Sequence, residues 1–146
     1  MKLNPDWREF IELLNVNEVQ YLVVGGYAVA FHGYPRYTKD IDIWIWIDPP
    51  NAQRMMKVLD EFGFASLDIT AQDFLKPDFI IQLGYPPHRI DLLTTIPGVE
   101  FQECFAAKVQ QMIDGVPVNF IDVEHLKQNK RATGRAQDIA DVENLE

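Results

Sequence analysis

The sequence predicts an α+β fold, a mixed β-sheet flanked by helices, and three observations carry that prediction. Residues 40–47 alternate between isoleucine and other side chains, which is the period of a strand with one buried face. Two helices are bracketed by their own caps: Asn4-Pro5-Asp6 opens one, and Asp122 and Gly134 enclose another. Strand and helix patterns interleave along all 146 residues with no repeat, low-complexity segment or linker. One domain over residues 1–146 is therefore expected.

Taken in order, Trp7, Phe10, Ile11, Leu13 and Leu14 form a helical apolar stripe behind the Asn4 cap, ending near Asn15. Residues 20–24 are a short apolar run closed by Gly25-Gly26 and read as a buried strand. Residues 27–32 suit a helix stopped by Gly33, residues 33–39 a loop, and residues 40–47 the strongest strand. Helical spacing returns at Met55, Met56, Leu59 and Phe62, within residues 51–62 and before Gly63. A short helix or turn is expected at 70–75, strands at 78–83 and 89–96, and a helix at 101–109. Residues 112–121 resemble a hairpin turning at Asp114-Gly115. Asp122 then caps a helix reaching Thr133, and a last helix over 135–145 carries the stripe Ile139, Val142, Leu145.

Composition excludes several classes of function. With 13 Lys+Arg against 22 Asp+Glu, the net charge of −9 argues against long duplex DNA and against an anionic membrane surface as the main partner. The single cysteine, Cys104, forms neither an internal disulfide nor a thiolate zinc site. His32, His88 and His125 lack metal-ligand spacing, and the one serine, Ser66, stands in no nucleophile elbow. The amino terminus lacks a signal-peptide pattern, and no run approaches the about 18 apolar residues of a membrane span, so a cytoplasmic protein is expected.

Asp40 and Asp42 share the strand face opposite the isoleucines, about 7 Å apart, together with Trp44 and Trp46. Like charges so placed raise each other's pKa unless a cation lies between them, and hard divalent cations prefer carboxylate oxygen. The alternative is a solvated strand face or an edge whose acids discourage pairing. Asp91 stands in the otherwise apolar Arg89-Ile90-Asp91-Leu92-Leu93, where aspartate is unfavourable by propensity. If its strand neighbours the first, the three acids form a triad for one or two metals; alternatively Asp91 pairs with Arg89 or a loop. Gly25-Gly26, between a strand and a helix, permits close backbone approach to a phosphate, or simply ends the strand. Neither G-x-G-x-x-G nor a G-K-[ST] follows.

Gly25-Gly26, thirteen residues, Asp40-Ile41-Asp42 and a later lone strand Asp91 together resemble the DNA polymerase β-like nucleotidyltransferase superfamily, whose pattern is h-G-[GS], D-h-[DE] and h-[DE]-h. The stretch Arg36-Tyr37-Thr38-Lys39-Asp40-Ile41-Asp42 is similar to the R-x-T-x-D-h-D segment of the minimal nucleotidyltransferases related to type IV toxin–antitoxin toxins. Lys130, Arg135, Asp138 and Asp141 resemble that group's K-x-x-x-x-R-x-x-D-x-x-D element. The similarity spans about residues 20–145. Two departures accompany it: Gly26 replaces a common serine, and a separate helical substrate-recognition domain is not seen in the sequence.

The resemblance implies a polymerase β palm-like fold and a nucleotidyltransferase that moves a nucleoside monophosphate from an NTP, ATP among them, to a hydroxyl or phosphate on a protein, RNA or small molecule. Asp40, Asp42 and Asp91 would be catalytic and would hold Mg²⁺ (or Mn²⁺). Gly25, Gly26, Arg36, Thr38, Lys130 and Arg135 would bind the nucleotide. The basic run 127–135 is alternatively a solvated helix with cations near its C-terminus, and Asp138 and Asp141 partners for Arg135 or helix caps. A catalytically silent nucleotide- or protein-binding member, a toxin–antitoxin component with a partner protein, and a homo-oligomer are the other readings.

Overall fold

The first helix, α1 (Pro5–Val16), begins as the sequence predicts in a computed structural model that describes residues 2–34, 37–64 and 68–146. The Asn4 side chain accepts from the Trp7 backbone N–H at 2.9 Å, and Trp7, Phe10, Ile11 and Leu14 turn inward. Strand β1 (Tyr21–Val24) is buried along its whole length and passes directly into α2 (Gly25–Phe31). That helix begins at the first glycine, two residues before the predicted start.

Strand β2 (Asp40–Ile45) stops two residues short of the predicted end, just ahead of Pro49 and Pro50 at the start of α3 (Pro49–Phe62). Pro fits the first helical turn, where no backbone donor is needed. Gly63 closes α3 at φ 95°. A 3₁₀ turn (Ala71–Leu75) leads to β3 (Ile80–Leu83) and β4 (Arg89–Leu93). Both strands are shorter than predicted: beyond Ile80 and Leu93 one backbone bond remains, from Thr94 N–H to Phe79 O at 3.1 Å, and threonine side chains take the other donors. The Phe79 and Asp78 N–H groups donate to Thr94 Oγ1 and Thr95 Oγ1, each at 2.9 Å.

Helix α4 (Phe101–Ala106) also ends early, since Val109 is drawn into the hairpin β5 (Val109–Ile113) and β6 (Val116–Phe120). Asp114 and Gly115 have φ of 50° and 82°, the double positive φ that a two-residue type I′ turn demands. Asp122 caps α5 (Val123–Thr133) by accepting from His125 N–H, and Gly134 stops it at φ 70°. In α6 (Ala136–Leu145) the apolar stripe is right for Val142, which is buried, and Leu145, which packs against the core, but Ile139 is exposed while Asp138 and Asp141 are buried.

The sheet runs β3-β4-β2-β1-β6-β5. It is mixed: β2–β4 and β1–β6 are parallel, the remaining pairs antiparallel. Ile41, Ile43 and Ile45 are fully buried on one face of β2. On the other face, Phe101 of α4 packs edge-on against Trp44 and stacks on Trp46, at centroid separations of 5.1 and 5.4 Å. The tryptophans are therefore packing residues, Trp44 buried and Trp46 partly so, while Asp40 and Asp42 stand half-buried at the other end of that face. Among the described residues no helix is long and apolar enough to cross a membrane.

Candidate active site

The parallel pairing of β2 with β4 sets Asp42 opposite Asp91 and Asp40 opposite Arg89. Residues i and i+2 share a strand face, so these four side chains form a block on the open face. Oxygens of Asp40, Asp42 and Asp91 lie within 4.8 Å of one another. The triad that the strand pattern could only suggest is thus assembled by one inter-strand register.

Arg89 binds two of the acids at once. Its Nε donates to Asp91 Oδ1 at 2.8 Å, and its Nη2 donates to Asp91 Oδ2 at 3.1 Å and to Asp40 Oδ2 at 2.7 Å. The pairing of Asp91 with Arg89 left open by the sequence is therefore present, and it coexists with the triad. Among the described residues Asp42 has no ion-pair partner. Burial, then the charges of Asp40 and Asp91, push its pKa up to about 7, against a smaller opposing effect of Lys130. Burial raises Asp91 as well, countered by its hydrogen bond from Arg89. Two acids strained toward protonation beside a third are a site that favours added positive charge.

Gly25 explains its own identity. A Cβ there would meet Asp42 Oδ2 at 2.1 Å, and the residue sits at φ 69°. The close approach that this glycine permits is first of all to the Asp42 carboxylate. No other residue satisfies both demands.

Lys130 is buried and holds Asp138 Oδ1 at 2.9 Å and Asp141 Oδ2 at 3.4 Å. Asp138 also accepts from Thr133 Oγ1 at 2.6 Å and Arg135 Nε at 2.7 Å. Burial would raise the Asp138 pKa, but hydrogen bonds from Thr133, Lys130 and Arg135 outweigh it and hold it at about 2. The expected Arg135–Asp138 pair is present, while Lys130 is shared between the acids of α6 and the field at Asp42. The Arg135 side chain is otherwise solvent-exposed.

These groups line a cleft of about 660 Å³ that includes Gly25, Asp42, Asp91, Lys130 and Arg135. An adjoining recess of about 430 Å³ adds Gly26 and Thr38. Eight of the nine residues anticipated from the sequence therefore border one depression; Arg36 lies outside the described residues. A larger aromatic hollow of about 960 Å³, walled by Trp7, Tyr27 and Phe31, holds none of the three acids. Arg89 is the site residue that the sequence reading did not assign, although Arg-x-Asp in a strand already placed it on the Asp91 face.

The donor set fits a hard divalent cation. Ligand oxygens at about 2.1 Å from an octahedral Mg²⁺ are about 3.0 Å apart when adjacent and about 4.2 Å when opposite, so the three acids would draw together to hold one ion.

A mixed sheet with acids on adjacent strands beside a strand–glycine–helix turn is the framework of a nucleotidyltransferase. The comparisons bear this out: the chain belongs to the family described as nucleotidyl transferase of unknown function (DUF2204), which matches residues 4–146. Its fold is similar to the crystal structure of an antigenic nucleotidyltransferase-like protein from Paracoccidioides brasiliensis. That similarity has a TM-score of 0.55 at 17% identity, covering 99% of this chain and 78% of that one. No curated protein matches the chain.

Proposed function

We propose that the protein transfers a nucleoside monophosphate from an NTP to a hydroxyl or phosphate acceptor, with Asp40, Asp42 and Asp91 holding Mg²⁺ or Mn²⁺. The observation that carries this reading is the β2–β4 register, which sets Asp42, itself against the Gly25 turn, beside Asp91. When bound, the divalent ion supplies charge neutralisation for the triphosphate and for the pentavalent α-phosphorus.

The chain's own groups do the rest. Gly26 and Thr38 border the phosphate side of the cleft, and the exposed Arg135 side chain can turn to the triphosphate tail. Lys130 is held by its two acids as a fixed positive field beside Asp42. Asp91, whose basicity burial raises, accepts the proton of an acceptor hydroxyl. The acceptor oxygen bonds to the α-phosphorus, the α–β P–O bond breaks, and pyrophosphate leaves. A protein, RNA or small-molecule acceptor, and a partner protein of toxin–antitoxin type, belong to this reading.

Incubating the protein and lysate with NTPs labelled at the α- or the γ-phosphate tests it. Transfer of α-label, dependent on Mg²⁺ or Mn²⁺ and lost in Asp42→Asn, is the expected result. Nucleotide binding without transfer would favour a silent member of the family, and transfer of γ-label alone would overturn the assignment.

A further inference from the structure

We propose that Arg89 is a built-in competitor for the divalent cation, a positioning residue that keeps the acid triad closed until metal displaces it. The inference rests on the triad being the metal site. Of the six carboxylate oxygens of Asp40, Asp42 and Asp91, three already accept hydrogen bonds from this one guanidinium. Those three are both oxygens of Asp91 and one of Asp40, so an ion held by all three acids draws on the same carboxylate charge that Arg89 neutralises and competes with it for the lone pairs of Asp91.

The location of the guanidinium follows from the strands. Arg89 stands opposite Asp40 and two residues before Asp91 on the same face, so its fork reaches both across the sheet. An arginine there satisfies two acids and leaves the third, Asp42, on the far side of the block with no ion pair among the described residues. That division is incomplete compensation: among the described residues Arg89 is ion-paired with two of the three acids, Lys130 acts on Asp42 only through its field, and a divalent ion would complete it. The Arg89 side chain is about a quarter exposed, at 27%, which leaves it a path outward into the cleft. Planar bidentate contacts to a carboxylate are geometrically specific, and an ammonium on a flexible stem does not reproduce them.

The test is titration of Mn²⁺ alone, without nucleotide, into the full chain, followed by the loss of the free-ion paramagnetic resonance signal. Arg89→Gln is expected to bind Mn²⁺ about tenfold more tightly than wild type, and Arg89→Lys to fall between them. Equal dissociation constants in all three proteins would overturn the competitor role and leave the metal site standing. Absence of Mn²⁺ binding even in Arg89→Gln would remove both.

Melting temperature supplies a second readout. Without metal at pH 8, Arg89→Gln should melt lower than wild type, and Mn²⁺ should restore the difference. A deficit that Mn²⁺ does not restore would make Arg89 a structural strut and refute the inference. Should Arg89→Gln not fold, the same comparison is made with Arg89→Lys, whose affinity must then exceed that of wild type.

Discussion

Replacing Asp42 with asparagine should stabilise the metal-free protein, and the gain should depend on pH. Asp42 ionises near 3.8 in the unfolded chain and at about 7 in the fold. Below pH 3.8 the acid is protonated in both states, and the substitution is nearly neutral. Between 3.8 and 7 only the unfolded chain releases the proton, so the fold loses stability as pH rises. Above 7 the cost levels off. The difference is about 3 pH units, and each is equivalent to about 1.4 kcal/mol, which sets a ceiling on the order of 4 kcal/mol.

Relaxation around a half-buried acid lowers that figure, so about 2–4 kcal/mol at pH 8 is expected, or about 6–12 °C in melting temperature for a chain of this size. Melting of wild type and Asp42→Asn by circular dichroism from pH 4.5 to 8.5, in chelator, measures it. A constant gap across that range, or a variant that melts lower than wild type at pH 8, would refute the reasoning. Asp40→Asn provides the contrast. Its carboxylate is already paired with Arg89, so it should lose up to about 1 kcal/mol instead of gaining.

The other predictions concern neighbouring groups. Gly25→Ala meets the Asp42 carboxylate and an adverse φ together, and should cost about 2–4 kcal/mol by urea unfolding while abolishing Mn²⁺ binding. Lys130→Met removes the buried cation that Asp138 and Asp141 share, leaving Arg135 and Thr133 on Asp138, and should cost up to about 3 kcal/mol, measured in the same way. Asp138 has the opposite sign to Asp42. Its depressed pKa contributes stability that is complete above the unfolded value of 3.8 and is lost as pH falls through about 2, so Asp138→Asn should remove part of the acid unfolding limb. Cys104 is fully buried with its thiol pushed up to about 12, chiefly by burial, and should react with a disulfide reagent only on unfolding. Fast labelling of the folded protein would contradict that.

Local chemistry was legible along the chain because it is written within a few residues. Asn4, Asp122, Gly63, Gly134 and Asp114-Gly115 each act on backbone groups next to them, and each does in the structure what its residue type predicts. Element ends were read less well where distant partners intervene. Val109 continues an apolar helical pattern yet pairs with Phe120 in the hairpin, and Thr94 and Thr95 leave β4 to bond the segment before β3. The stripe in α6 held at Val142 and Leu145 and missed at Ile139, for a different reason. Hydrophobic periodicity assumes that acids face water, and it has no means of seeing that a buried lysine eight residues upstream draws Asp138 and Asp141 inward.

By itself, the sequence determined that Asp40 and Asp42 share a strand face, that Asp91 stands alone in a second apolar strand, and that a glycine turn precedes both. Those are consequences of a two-residue period and of turn chemistry. Only the tertiary structure decided that β4 lies beside β2, parallel and in the register that sets Asp91 against Asp42 and Arg89 against Asp40. Register between strands separated by 49 residues is chosen by the packing of whole faces, and nothing local encodes it. The same packing brings Gly25 against the Asp42 carboxylate and Lys130 into its field. Three acids on two strands became one charged site because the fold brought them together, with Arg89 paired to two of them and Lys130 in the field of the third.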